Sequence, residues 1–197
     1  RLFGLPELKP GTSGIAFFKP EEPLLGLVGD RFIVRLPTPA ITLGGGVVLD
    51  QLAQFPRRKE LDDLSYLNRR TTGQLADIVA SEFAKWPLVR ETELLRFADF
   101  GALSIGGALS ELIKQKGAAR FGSWVYGVEE LTRRTERLKQ SFTEFVHDKP
   151  HIKGLTIEQI RPLLHPDLTI ADGLLEFFLS NGLIQKGGDK YDLAGRG

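Results

Sequence analysis

GDRFIVRLPTPAITLGGGVVLD, residues 29–50, decides how the start of the chain is read. Gly29-Asp30 is a turn signal. Phe32 and Val34 alternate with Arg31, Ile33 and Arg35 in a β-rich run. Pro37 and Pro39 interrupt it, because proline donates no hydrogen bond to a sheet ladder. Ile41, Thr42 and Leu43 begin a second strand that continues through Gly44, Gly45 and Gly46 into Val47, Val48 and Leu49. Glycines inside a strand predict a bulge or the close approach of another backbone. The stretch therefore reads as the last hairpin of a small antiparallel barrel. The three glycines do not make a phosphate-cradling loop, since no GxxxxGK[ST] pattern and no helix start accompany them.

Upstream, Leu8-Lys9-Pro10-Gly11, the run Ile15, Phe17, Phe18, and Leu24 to Val28 after Pro23 supply further strand and turn signals. Only about four strands are in view, fewer than a closed barrel requires, so unpaired edges are expected. The wording RFIVR, a loop, then T-x-GGG-x-V-L-D resembles the closing strands of the third domain of the selenocysteine-specific translation elongation factor. That family is related to elongation factor Tu and delivers selenocysteinyl-tRNA. The resemblance covers the first quarter of the chain.

Residues 51–70, QLAQFPRRKELDDLSYLNRR, are charge-rich and read as a linker. Leu61, Leu64 and Leu67, spaced three apart, allow a helical turn or two within it. The run Pro56-Arg57-Arg58-Lys59 is of the kind that is ordinarily solvated. A helical period follows, with Leu75, Ile78, Val79 and Phe83 on one face, Trp86 below and Pro87 as terminator. A short helix carrying Leu94 and Leu95 is expected next, then a third helix from Leu103 to Lys116 capped by Gly117. Ala118 to Tyr126 reads as a hairpin around Gly122-Ser123.

Residues 128–197 repeat the order. A long helix uses Val128, Leu131, Leu138, Phe142, Phe145 and Val146. Thr156-Ile157-Glu158-Gln159 is a capping box opening a helix to about Leu164. Leu168 to Asn181 forms a third helix with Gly182 as cap, and a hairpin turns around Gly187-Gly188. At an offset of 65, Gly117 aligns with Gly182, Gly122 with Gly187 and Tyr126 with Tyr191. Both tyrosines are expected to pack on their own helices. Helix, short helix, helix, hairpin is the winged-helix order. The fold class expected is thus α+β: a partial antiparallel β-barrel (1–50), a linker (51–70) and two tandem winged helices (71–127 and 128–197). The resembled family also carries tandem winged helices after its barrel.

The chain has 26 Lys and Arg against 25 Asp and Glu, and no segment is strongly basic. It has no cysteine, which excludes disulfides and thiolate chemistry. No apolar run reaches the ~18 residues of a membrane span, so no membrane partner is expected. His147 and His151 have i, i+4 spacing, but Pro150 interrupts them and no carboxylate pattern completes a metal site. His165 precedes Pro166 and reads as a loop residue. Asp62 and Asp63 are adjacent rather than facing, which does not suit paired acid–base work. No catalytic, cofactor or metal residues are assigned.

In a winged helix the third helix enters a groove and wing cations touch phosphate. Here SIGGALSEL and LTIADGLLEFF offer no base readers. The phosphate-contact candidates are Lys114, Lys116, Arg120, Lys186 and Lys190. The resemblance implies a fragment of a longer cytoplasmic GTPase, a reading that Arg1 and the absence of methionine support. It places GTP and Mg²⁺ in a domain outside this chain, which is itself non-enzymatic and expected to be monomeric. The implied partners are an mRNA hairpin, selenocysteinyl-tRNA and the ribosome. In the family the hairpin is held by the last winged helices, so the two units here are expected to form a spacer arm. Two other readings remain open: a winged-helix DNA-binding regulator with an unrelated β domain, and a protein-interaction module.

Overall fold

The computed structural model describes residues 2–51, 65–147 and 154–195. The Pro56–Lys59 run, Leu61, Asp62, Asp63, Leu64, Pro150 and His151 lie outside the described residues. The molecule is mixed α/β, with three small antiparallel sheets and six α-helices among the described residues.

β1 (Arg31–Arg35) pairs with β2 (Thr42–Val47). The register shifts beside Val34/Arg35, so Leu43 has no partner, which is the bulge that the glycines predict. The close approach is there too. A Cβ on Gly45 would stand 2.7 Å from the Phe32 carbonyl oxygen, and one on Gly46 2.7 Å from the Phe32 ring. Within residues 2–50 the described chain forms this hairpin and one isolated bridge, Leu2 with Ala16, and it closes no barrel. Leu24, Leu25, Ile33 and Leu43 remain exposed there.

Two joints tie this segment to the helices. Val28 pairs in parallel with Ala98: its N–H donates to the Phe97 carbonyl, and its own carbonyl accepts from Asp99 N–H, both at 2.9 Å. The other joint is polar. Asp50 accepts from Lys85 Nζ at 2.8 Å and from Tyr66 Oη at 2.8 Å. Arg70 donates through Nε to Ser81 Oγ and through Nη1 to the Leu49 carbonyl, each at 2.8 Å, and pairs with Glu82 through Nη2. Residues 65–70, assigned above to the linker, are thus a helix, α1 (Ser65–Arg70). It buries Tyr66 and Leu67 against Phe3, Ile15, Phe17 and Leu49.

The first repeated unit follows. α2 (Leu75–Lys85) buries Ile78, Val79 and Phe83, as its period predicts. β3 (Val89–Arg90) comes next, a strand too short to carry a sequence signal. The expected short helix is a single 3-10 turn, Glu91–Glu93. α3 (Ala102–Lys114) leads into the hairpin β4 (Ala118–Phe121) and β5 (Trp124–Gly127), which β3 completes to a three-stranded sheet in the order β3-β5-β4. Gly127 lets this sheet close on α2, where an added Cβ would lie 2.8 Å from Phe83.

The second unit repeats the plan with α4 (Val128–His147), α5 (Ile157–Leu164), α6 (Leu168–Ser180), β6 (Ile184–Gly187) and β7 (Lys190–Leu193). Thr156 N–H donates to Gln159 Oε1 at 2.9 Å, one half of the expected capping box. Asp167, which the sequence reading passed over, caps α6 by accepting from Thr169 and Ile170 N–H.

The repeat is real in order, but its offset is 66, not 65. The pairing Val89↔Val125 recurs as Leu155↔Tyr191, each partner 66 residues further on. The left-handed residue after the third helix is Lys116 (φ 59°) in the first unit and Gly182 (φ 64°) in the second. The hairpins turn at Gly122 and Gly188, so Gly187 ends a strand instead. A slip of one residue moves every strand side chain to the opposite face. Tyr191 accordingly corresponds to the buried Val125 and sits in its own unit's core. Tyr126 faces the other way, against Phe177 of the second unit.

Candidate nucleic-acid interface

The five candidate cations fall on the ends and hairpins of the two units, and the structure engages three of them. Lys114 lies 3.6 Å from Glu111, one turn back on α3. Arg120 makes a bidentate pair with Glu91, both contacts at 2.8 Å. Those hydrogen bonds hold the Glu91 carboxyl below its usual range. Lys186 lies over the Tyr191 ring at 5.5 Å. Lys116 and Lys190 are exposed, one beyond the end of α3 and the other at the start of β7. Register separates the two cations of the second hairpin as well. Lys186 opposes Tyr191 on the core face, whereas Lys190 opposes Gly187 on the outer face.

The first turns of α3 are apolar and open. Leu103 is 94% exposed, and a Cβ on Gly106 or Gly107 would meet nothing within 4 Å. No side chain there carries the paired donor and acceptor that base-edge readout uses. The equivalent helix of the second unit, α6, is buried at Ala171, Gly173, Leu174, Leu175, Phe177 and Phe178.

Sequence reasoning missed one feature. A cleft of about 410 Å³ opens where the segment around Asp50, α2, β3 and the start of α6 meet. Both tryptophans of the chain, Trp86 and Trp124, line it. So do Arg90, stacked on Trp124 at 4.7 Å, and Arg96, on Phe97 at 5.6 Å. Glu93 and Asp167 line it too and balance those cations. In the sequence Trp86, Arg90, Arg96 and Phe97 lie near one another, but nothing in their spacing announces a cleft.

The architecture is therefore a β segment followed by two units of like order, each a helix, a strand or single bridge, a helical turn or short helix, a further helix and a hairpin, with scattered cations and no concentrated basic face among the described residues. Against known proteins, no family model matches the chain. Over 71 residues, 35% of the chain, it is 35% identical to a selenocysteine-specific elongation factor from Desulfomicrobium baculatum. The matched stretch spans 11% of that relative's length.

Proposed function

We propose that the chain is a segment of a selenocysteine-specific elongation factor, working as the arm between a tRNA-delivering GTPase body and an mRNA-hairpin-binding tip. In this reading residues 1–50 belong to the β-barrel domain, 51–70 connect, and 71–127 and 128–197 are winged helices. The 35% identity over 71 residues to a named factor of this kind carries the proposal. Two further observations support it. Each unit runs helix, strand or bridge, helical turn or short helix, helix, hairpin, with the first strand or bridge pairing to the last strand. The third helices offer no base readers, which favours an arm over a DNA-binding regulator. Lys114, Lys116, Arg120, Lys186 and Lys190 are at most peripheral phosphate contacts in the assembled factor. GTP and Mg²⁺ belong to its nucleotide-binding domain. Selenocysteinyl-tRNA, the ribosome and the mRNA hairpin are partners of the whole protein, which acts in the cytoplasm.

A chimera tests this. The segment of the Desulfomicrobium factor that aligns with this chain is replaced by the chain's residues, and UGA readthrough with selenocysteine is measured in a reporter. Readthrough well above that of a version lacking the segment is expected. A folded chimera no better than the deletion would refute the assignment.

A further inference from the structure

The β4–β5 hairpin has two faces. Its register places Ala118, Val125 and Gly127 on one, where Ala118 and Val125 join the first unit's core. Phe121, Trp124 and Tyr126 lie on the other. That second face carries three large aromatics, and it is covered by α6. Phe121 and Tyr126 meet the Phe177 ring edge-on, at 5.2 and 5.1 Å between centroids. Trp124 lies against Gly173, where an added Cβ would stand 3.1 Å from the indole and 3.2 Å from Leu88. Gly173 and Phe177 are four apart and share a face of α6. Ala171, Leu174 and Phe178 share another, in the core with Leu155, Ile160 and Ile184. A third contact sits beside them, with the His165 ring 6.2 Å from that of Trp86.

We propose that this contact fixes the two units as one rigid body and commits α6 to an internal joint, out of reach of any nucleic-acid groove. The inference deepens the arm reading and rests on it for its purpose, since an arm that sets a distance must not bend in the middle. The physical case is independent of that purpose. Domains in one chain move relative to each other unless their interface is apolar and well packed. Here the interface includes two edge-to-face aromatic pairs, Phe121 and Tyr126 on Phe177, which attract beyond their buried area. The tether raises the local concentration of one unit at the other to the millimolar range or above. Both terms favour the closed state. The joint does not recur on the second hairpin. The 66-residue equivalents of Phe121, Trp124 and Tyr126 are Gly187, Lys190 and Asp192, a polar face open to water.

The chain contains no cysteine, so Leu103→Cys and Asp189→Cys give two clean spin-label positions, one per unit. Electron–electron double resonance then reads the distance distribution between units, with circular dichroism as the check on folding. The expected result is one narrow distribution. Gly173→Leu, which drives a branched side chain into Trp124, is expected to broaden it at least twofold with helicity retained. Phe121→Ser, which alters only the hairpin side of the joint, is expected to do the same and covers the case in which Gly173→Leu does not fold. A broad distribution in the doubly labelled parent, or an unchanged width in a folded joint variant, overturns the proposal. Readthrough plays no part in this measurement. The joint can therefore fail here while the chimera works, and the chimera can fail while the joint holds.

Discussion

Arg70 shows what a single side chain decides. In the sequence it is the second of two adjacent arginines at the end of a charged stretch, and nothing distinguishes it from Arg69. In the structure Arg69 is exposed, while Arg70 is 3% exposed and joins Leu49, Ser81 and Glu82. Its partners lie on elements whose approach the sequence does not announce, so a buried ion network was read as linker. Truncating one member of such a network leaves a buried charge unmatched. Arg70→Met is expected to cost about 3–5 kcal/mol in urea unfolding. Asp50 gives the network a pH signature. Burial raises its pKa, but Lys85, Tyr66 and Arg70 together outweigh burial and leave it below 3.8. A depressed carboxylate pKa stabilises the fold above the unfolded value and loses that contribution as pH falls through the folded one. The melting temperature of the parent should exceed that of Asp50→Asn at neutral pH, and the gap should close as the pH drops below 3.8. A gap that stays constant down to about pH 2 would remove Asp50 from this role.

At the level of elements, α2, α4, α5 and the turn at Gly122-Ser123 were legible, because helical period and turn residues are local signals. The register of the repeat was not. Gly117 follows Lys116, and Gly187 precedes Gly188, so glycine-to-glycine matching favoured an offset one residue short. Backbone conformation marks the true correspondence, with Lys116 and Gly182 both left-handed. Their energetics should differ accordingly. Gly182→Ala meets open space, so its cost is conformational, about 1–2 kcal/mol. Lys116→Gly relieves the same strain but loosens the unfolded chain, which leaves a net gain of about 0.5–1 kcal/mol. Chemical denaturation of the two variants reads both values, and opposite signs are the expected outcome. If Lys116→Gly destabilises by as much as Gly182→Ala, the two positions are not equivalent.

Across the whole molecule, charge and apolar surface are distributed in different ways. Acids and bases nearly cancel overall, and three of the five candidate cations are already engaged. Phosphate binding requires several cations on one backbone, and its affinity falls steeply with salt. A labelled mRNA hairpin and a scrambled control titrated at two salt concentrations should therefore bind alike and weakly, near ~10⁻⁴–10⁻⁶ M at physiological salt. Sub-micromolar binding that prefers the true hairpin would move the reading head into this chain. Arg90 and Arg96 at the cleft would then be the first residues to replace. The packing of one unit on the next was illegible, because the aromatic triplet on β4–β5 reads equally well as part of its own unit's core. Once seen, the difference between the two hairpins gives the array a direction. The first hairpin is a filled seat, holding the next unit through Phe121, Trp124 and Tyr126, and the second, with Gly187, Lys190 and Asp192 in their places, offers no such seat. Duplicating the second unit's coding sequence in tandem would add beads on a string, whereas Gly187→Phe, Lys190→Trp and Asp192→Tyr would turn its outer face into a new seat and let the stack lengthen.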